Sequence, residues 1–229
     1  MVFSVGGMRA GVLGVVDGSF QMVDSHAETV TAGDRELERR LEIDRVFSLP
    51  SGGMAFEGRA AAERLVSERE AAIEDDGIDV TEGTTVRTEF TGFAGIPGEF
   101  VAAGSGAGTF AFDLVGAETN TGIERATVGL EGVLDDHGDA RPWRVGVSGN
   151  DEGAVNGTFH GRDLRASRDL DSLLDGATLT QLGLAYDRDG DDLKMTASQS
   201  GYVEVYQPSS YGTEAYLEYV RDEVLPHVR

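Results

Sequence analysis

The residues best equipped for chemistry are carboxylates and histidines gathered in short loops. Asp135-Asp136-His137-Gly138-Asp139 sets an imidazole among carboxylates, a donor set that suits zinc or a similar ion. Asp135, His137 and Asp139 are therefore candidate metal ligands. Consecutive side chains seldom converge on one ion and Gly138 marks a turn, so His160 and Asp163 would have to complete the set. Asp187-Arg188-Asp189-Gly190-Asp191-Asp192 has acidic spacing suited to calcium. Calcium takes about six or more oxygens, and an EF-hand loop adds a downstream glutamate and flanking helices. Here the flanks read as strands and that glutamate is missing, which leaves a solvated hairpin tip. Gly104-Ser105-Gly106-Ala107-Gly108 has the small residues of a phosphate cradle, which must open a helix. Phe110, Phe112 and Leu114 alternate along Thr109–Val115, so the reading is a strand and the glycines form a hairpin loop. Ser105 and Ser148 lie among glycines but outside the Gly-x-Ser-x-Gly pattern of a nucleophile elbow. His26 reads as a strand or surface residue and His227 as a tail residue. No coherent catalytic set assembles from these pieces, and no catalytic residue or cofactor is assigned.

Composition bounds the surroundings of this chemistry. The chain has 229 residues and 41 acidic side chains against 19 basic ones, for a formal charge of −22. Lys194 is its only lysine; every other cation is arginine, which forks onto carboxylates and is weakly hydrated. Such a charge strains a compact fold by self-repulsion. In molar salt the Debye length falls to roughly 3 Å and the repulsion fades. The composition resembles that of cytoplasmic proteins from halophilic archaea, with hydrated cations held at the surface. The opening residues MVFSVGGMRAG lack a secretory pattern, and no apolar run approaches the roughly 18 residues of a membrane span. With no cysteine, disulfides, thiolate metal sites and cysteine nucleophiles are excluded. The net charge also opposes binding to a nucleic-acid backbone.

The elements that must position these residues are mostly short strands. Gly11–Val16 and Ser19–Asp24 flank Asp17-Gly18, the signal of a tight hairpin. Thr29–Ala32, Ile43–Leu49 and Met54–Glu57 continue the meander. Arg59–Asp75 reads as a helix: it is rich in alanine and glutamate, with Arg59–Glu63 and Arg64–Glu68 pairs and Gly77 as its cap. Further strands are expected at Thr84–Phe93, Glu99–Ala103, Glu124–Leu134, Trp143–Ser148, Leu182–Tyr186, Leu193–Ser198 and Tyr202–Tyr206. A short helix is expected at Asp169–Leu174. A helix over Thr213–Val224, with Leu217, Val220 and Val224 as its apolar stripe, ends before Pro226. The expected class is α+β, mostly antiparallel β, with two β-rich lobes each closed by an amphipathic helix. Residues 1–78 form the first lobe and residues 79–229 the second, divided at the polar segment Ile78–Thr84.

Two stretches carry a family resemblance. Ala10–Arg64, with Asp24 and Ile43-Asp44-Arg45-Val46-Phe47, resembles the opening of proteasome-type N-terminal-nucleophile hydrolases, and EFVAAGSGAG at Glu99–Gly108 resembles that family's glycine–serine segment. Such enzymes expose a hydroxyl or thiol nucleophile by processing and keep a lysine beside it. Here Ser4 follows Met1-Val2-Phe3 and Lys194 lies outside the resembling stretch, so the likeness implies ancestry without activity. Gln199–Leu225 supplies a last strand, a short loop and a closing helix. That ending resembles pleckstrin-homology-type domains, as found in archaeal chemotaxis adaptor proteins. The resemblance implies a partner-binding module and transfers no functional residue. The expectation is a non-enzymatic interaction or regulatory adaptor with a protein partner. The alternatives are an inactive proteasome-like hydrolase and a small-ligand or metal binder. Strand edges and the outer faces of Arg59–Asp75 and Thr213–Val224 are the expected docking surfaces.

Overall fold

The structure is a computed structural model that describes residues 7–75, 77–149, 156–167, 174 and 176–229. Six strands come first: β1 (Ala10–Asp17), β2 (His26–Ala32), β3 (Arg35–Ser48), β4 (Met54–Glu74), β5 (Gly77–Ile96) and β6 (Phe100–Ala103). Helix α1 (Phe110–Thr119), strand β7 (Gly122–Arg125) and helix α2 (Leu130–Asp136) follow. Strands β8 (Arg141–Gly149) and β9 (Gly157–His160) lead to the short helix α3 (Leu164–Ser167). Last come β10 (Ala177–Arg188), β11 (Asp191–Ser198), β12 (Tyr202–Gln207) and α4 (Thr213–Tyr219), whose helical path continues to His227.

The strands join one antiparallel sheet in the order β2-β3-β4-β5-β6-β1-β12-β11-β10-β8-β9, with β7 also paired to β1. β1 is the hinge of this order. Its Val12–Val15 segment pairs with β6, while Ala10–Val12 and Gly14–Asp17 pair with β12 and β7. Side chains alternate across the sheet, so each central strand feeds two cores. Val101, Ala103, Phe56 and Phe93 face α1, joined by Leu41 of β3. Phe100, Ala102, Ala55 and Ala94 point the other way, toward Tyr216, Leu217 and Val220 of the C-terminal helix. β8 and β10–β12 add Val145, Leu182, Leu184, Met195 and Val205 to that second core.

The mostly antiparallel character and the terminal helix match the sequence reading. Several elements do not. Arg59–Asp75 is the outer part of strand β4, paired residue for residue with β5 from Phe56–Gly95 to Glu74–Gly77 without a register shift. Alanine and glutamate favour a helix only weakly, and a complementary partner strand overrides that preference. Among the described residues no helix therefore closes the segment 1–78. The expected division at residues 78 and 79 falls just inside β5, in the hairpin that ties the two segments together. Thr109–Val115 is helix, because Phe110, Ala111, Phe112, Leu114 and Val115 are all buried while Asp113 and Ala117 emerge one turn apart. Burial nearly all round erases the apolar period that separates helix from strand. Ser19–Asp24 pairs with nothing as a strand, and Glu124–Leu134 divides into β7 and α2. The helix expected at Asp169–Leu174 falls, save Leu174, outside the described residues.

α1 can lie against β1 only where the strand has no side chain. A Cβ added to Gly14 would stand 2.8 Å from the Phe112 ring and 2.8 Å from Ile123. Gly14→Val should therefore destabilise the fold by about 1–3 kcal/mol, the usual cost of overpacking. The check is the denaturation midpoint in high salt. An unchanged midpoint would mean that α1 is not seated there.

Candidate interaction surface

β4 and β5 run far past their neighbours. β3 accompanies β4 only as far as the Arg39–Ala62 pair, and β6 accompanies β5 only from Phe93 onward. Beyond those points the two strands run on as a two-stranded arm, its base still seated on the body, where Thr91 is buried and the Arg64 guanidinium lies over Phe110. Cross-strand partners share a face, so the register sorts the arm's side chains into two stripes. One face carries Arg64, Arg87, Glu68, Glu70 and Asp79. The other carries Leu65, Val86, Ala71, Val80, Ile73 and Ile78, interrupted by the Ser67–Thr84 pair and by the Arg69–Glu82 pair at 2.6 Å. This second stripe continues the face that at the arm's base holds Ala55, Ala94 and Ile96 in the core. On the arm nothing described covers it: Ile73 is 90% exposed, Ile78 72% and Val80 54%. A core-like pattern that runs out into solvent makes this face the candidate interaction surface.

A second cluster gathers around the C-terminal helix. His137, at the end of α2, lies with Nδ1 2.7 Å from the Val133 carbonyl oxygen and Nε2 2.9 Å from the Glu223 carboxylate. With Glu223 ionised both partners are acceptors, an arrangement that calls for a proton on each ring nitrogen and so favours the imidazolium. The Glu223 hydrogen bond raises the His137 pKa against the opposing effect of burial, and the same bond lowers the Glu223 pKa. Arg188 of β10 holds the other Glu223 oxygen at 3.1 Å and reaches Asp222 at 3.2 Å. The Tyr186 ring packs against the imidazole at a tilt of 55°, with ring centres 4.5 Å apart.

This arrangement brings together two loops that are far apart in sequence. Asp136, His137 and Asp139 line a shallow cleft with Tyr186, Asp187 and Asp192. The candidate ligands do not converge, however. His137 has neither nitrogen free for a metal, and Asp135 and Asp139 are exposed to solvent. Among the described residues no three histidine or carboxylate groups are placed to share an ion. Asp163 instead accepts from the Arg165 amide at 2.9 Å, and the Arg165 guanidinium caps the carbonyls of Leu134 and Ala140 at the end of α2. His160 lies beside Trp143 on the opposite side of β8, with ring centres 6.5 Å apart.

Lys194, the lone lysine, places its ammonium 4.4 Å from the centre of Trp143, the lone tryptophan. The indole lies over Gly183, where a Cβ would meet it at 2.8 Å, and its Nε1 donates to the Leu184 carbonyl at 3.2 Å. Stacking keeps the ammonium's charge while covering its stem, which explains where one lysine persists on an acidic surface. Sequence reading missed this pair; the single copy of each residue is its only trace.

The remaining candidates are structural. Ser105 Oγ accepts from the Gly108 amide at 3.1 Å in the turn leading to α1, and Ser148 sits in β8 opposite Thr178. His26 pairs with Glu118 at 3.2 Å and His227 with Asp136 at 3.1 Å. Among the described residues no histidine meets a serine hydroxyl. No helix among them is long and apolar enough to cross a membrane. No protein-family model matches the chain, and no curated protein matches it.

The His137–Glu223 pair makes stability depend on pH in a definite direction. A raised histidine pKa stabilises below the unfolded value of 6.5, and that contribution is lost as pH rises through the folded value. A lowered glutamate pKa stabilises above 4.5 and is lost as pH falls through the folded value. The pair therefore contributes fully between those two values. His137→Gln should cost about 1–3 kcal/mol near pH 6, and its deficit against the wild type should shrink toward pH 9. Denaturation midpoints across that range measure this; a deficit independent of pH would refute the imidazolium.

Proposed function

We propose that this protein is a non-enzymatic interaction or regulatory adaptor module of a high-salt cytoplasm, acting through the β4–β5 arm. The observation that carries the reading is the uncovered apolar stripe from Leu65 and Val86 to Ile73 and Ile78. A two-stranded ribbon is marginal in water by itself. Keeping β-branched side chains on its open face lowers its solubility and is retained where a partner buries them. In concentrated salt this apolar contact gains weight, since long-range charge attraction is screened and hydrophobic burial is not. The ending β12, loop and α4 supports the same reading through its likeness to pleckstrin-homology-type adaptor domains.

One observation favours a second reading, descent from proteasome-like hydrolases: β6 passes through Gly104–Gly108 directly into helix α1, as a glycine–serine segment of that family would. The lysine such chemistry needs is instead occupied on Trp143.

Affinity capture at native salt, comparing the wild type with Ile78→Asp/Val80→Asp, tests the adaptor reading. These side chains are exposed, so the melting temperature should move by no more than about the 0.5 kcal/mol typical of surface changes. Proteins retained by the wild type should be lost from the variant. Identical capture by both would remove the arm's flat face as the recognition element.

A further inference from the structure

The arm has a second recognition feature, separate from its flat apolar face: the in-plane edge of β5. Between Gly77 and Gly92 no described strand pairs with β5 on the side away from β4. The Gly92 carbonyl turns outward, accepting from the Gly104 amide at 2.9 Å where the β6 segment begins. Backbone groups alternate along a strand, so Ile78, Val80, Glu82, Thr84, Val86 and Thr88 also present their N–H and C=O outward. Such an edge invites another strand.

We infer that the occupant is a second copy of this chain, paired antiparallel about a two-fold axis at Gly83. The segment Asp79-Val80-Thr81-Glu82-Gly83-Thr84-Thr85-Val86-Arg87 is nearly self-complementary about its central glycine. In this register Val80 lies beside Val86 of the second copy, Thr81 beside its Thr85, and Asp79 beside its Arg87. Each contact occurs twice, as two-fold symmetry requires. The outward residues of one copy meet the outward residues of the other, so every outward amide from Ile78 to Thr88 gains a partner.

Two observations on the single chain point the same way. Arg87 stands directly across from Arg64, an unfavourable like-charge pairing, while Arg64 is satisfied by Glu89 at 3.0 Å. Among the described residues Arg87 has no carboxylate within ion-pair distance; the second copy supplies Asp79. Gly83 has open space where its side chain would be, so the interior of its own chain gives no reason for the glycine. At the axis residue 83 lies beside its own copy, and a glycine there avoids setting two identical side chains against each other on the sheet face. The register is also narrowly defined. Moving the axis to residue 82 sets Glu82 against itself, and moving it to residue 84 sets Asp79 against Glu89.

This inference goes beyond the adaptor reading, because it uses the edge of the arm and leaves its flat face available. Sedimentation equilibrium of the full chain in multimolar potassium chloride tests it. The wild type should be a dimer in concentration-dependent exchange with monomer. Thr84→Pro removes an outward N–H that has no partner among the described residues, so it should give monomer with an unchanged circular dichroism spectrum. Asp79→Arg should weaken association on the order of tenfold by setting like charges together twice. The double variant Asp79→Arg/Arg87→Asp should restore it. A wild type that is monomeric up to its solubility limit would overturn the inference. So would a dimer indifferent to Thr84→Pro, or one that the double variant fails to restore. Capture by the flat face is unaffected by Thr84→Pro, so failure here and failure of the adaptor reading are told apart.

Discussion

Everything in this molecule hangs from the carboxylates along one helix. Glu214 of α4 reaches Arg45 of β3 at 3.3 Å, and Glu218 accepts from the Ser51 amide in the β3–β4 turn at 2.7 Å. A turn further on, Glu223 joins Arg188 of β10 to His137 at the end of α2. The helix thereby grips both halves of the sheet, which β1 joins in the strand order and which share one core beneath it. Beneath the polar contacts, Tyr216, Leu217, Val220 and Val224 fill the core on that face, and the Tyr216 hydroxyl donates to the Val203 carbonyl at 3.1 Å. The Glu223 pairs to His137 and Arg188 are half-buried and so screened less by salt than the exposed Arg45–Glu214 pair, which leaves the Glu223 end as the stronger part of this grip.

The same logic explains the arm. A chain with a formal charge of −22 has few ways to recognise anything electrostatically once its field is collapsed by salt. What survives is short-range: apolar contact, backbone hydrogen bonds, and ion pairs made in direct contact. The arm offers each of these, with Val80 and Ile78 on its face, unpaired amides on its β5 edge, and Asp79 and Arg87 spaced to meet each other's copies. The body needs none of them, because its two cores close on α1 and α4 without reaching past Phe90.

The strands of the C-terminal half were legible because their alternation is clean and their turns are marked. Leu182, Leu184, Met195 and Ala197 fall on one face at spacing two, and Gly190 adopts the positive φ expected of its loop. The terminal helix was equally plain in Leu217, Val220 and Val224. What failed did so for physical reasons. The alanines at 60, 61 and 62 read as helix because propensity is local, whereas their fate is set by Glu89, Phe90 and Thr91 across the ladder. α1 read as a strand because two large aromatics two apart are also buried two apart when the whole helix is enclosed. The pairing of His137 with Glu223 spans 86 positions and leaves no local trace. The loops Asp135–Asp139 and Asp187–Asp192 were legible as acidic, but their meeting in one cleft was not. The projection of the arm, from which the functional reading follows, was hidden by the mistaken helix.

Native-state hydrogen exchange in high salt tests most directly whether one helix binds the two halves into a single body. Amides of the β3–β4 base, between Arg39 and Ala62, should share one opening free energy with those of β10–β12. In Glu223→Gln both sets should lose protection together. Two sets that open at separate denaturant concentrations, with only β10–β12 weakened by the substitution, would contradict the account.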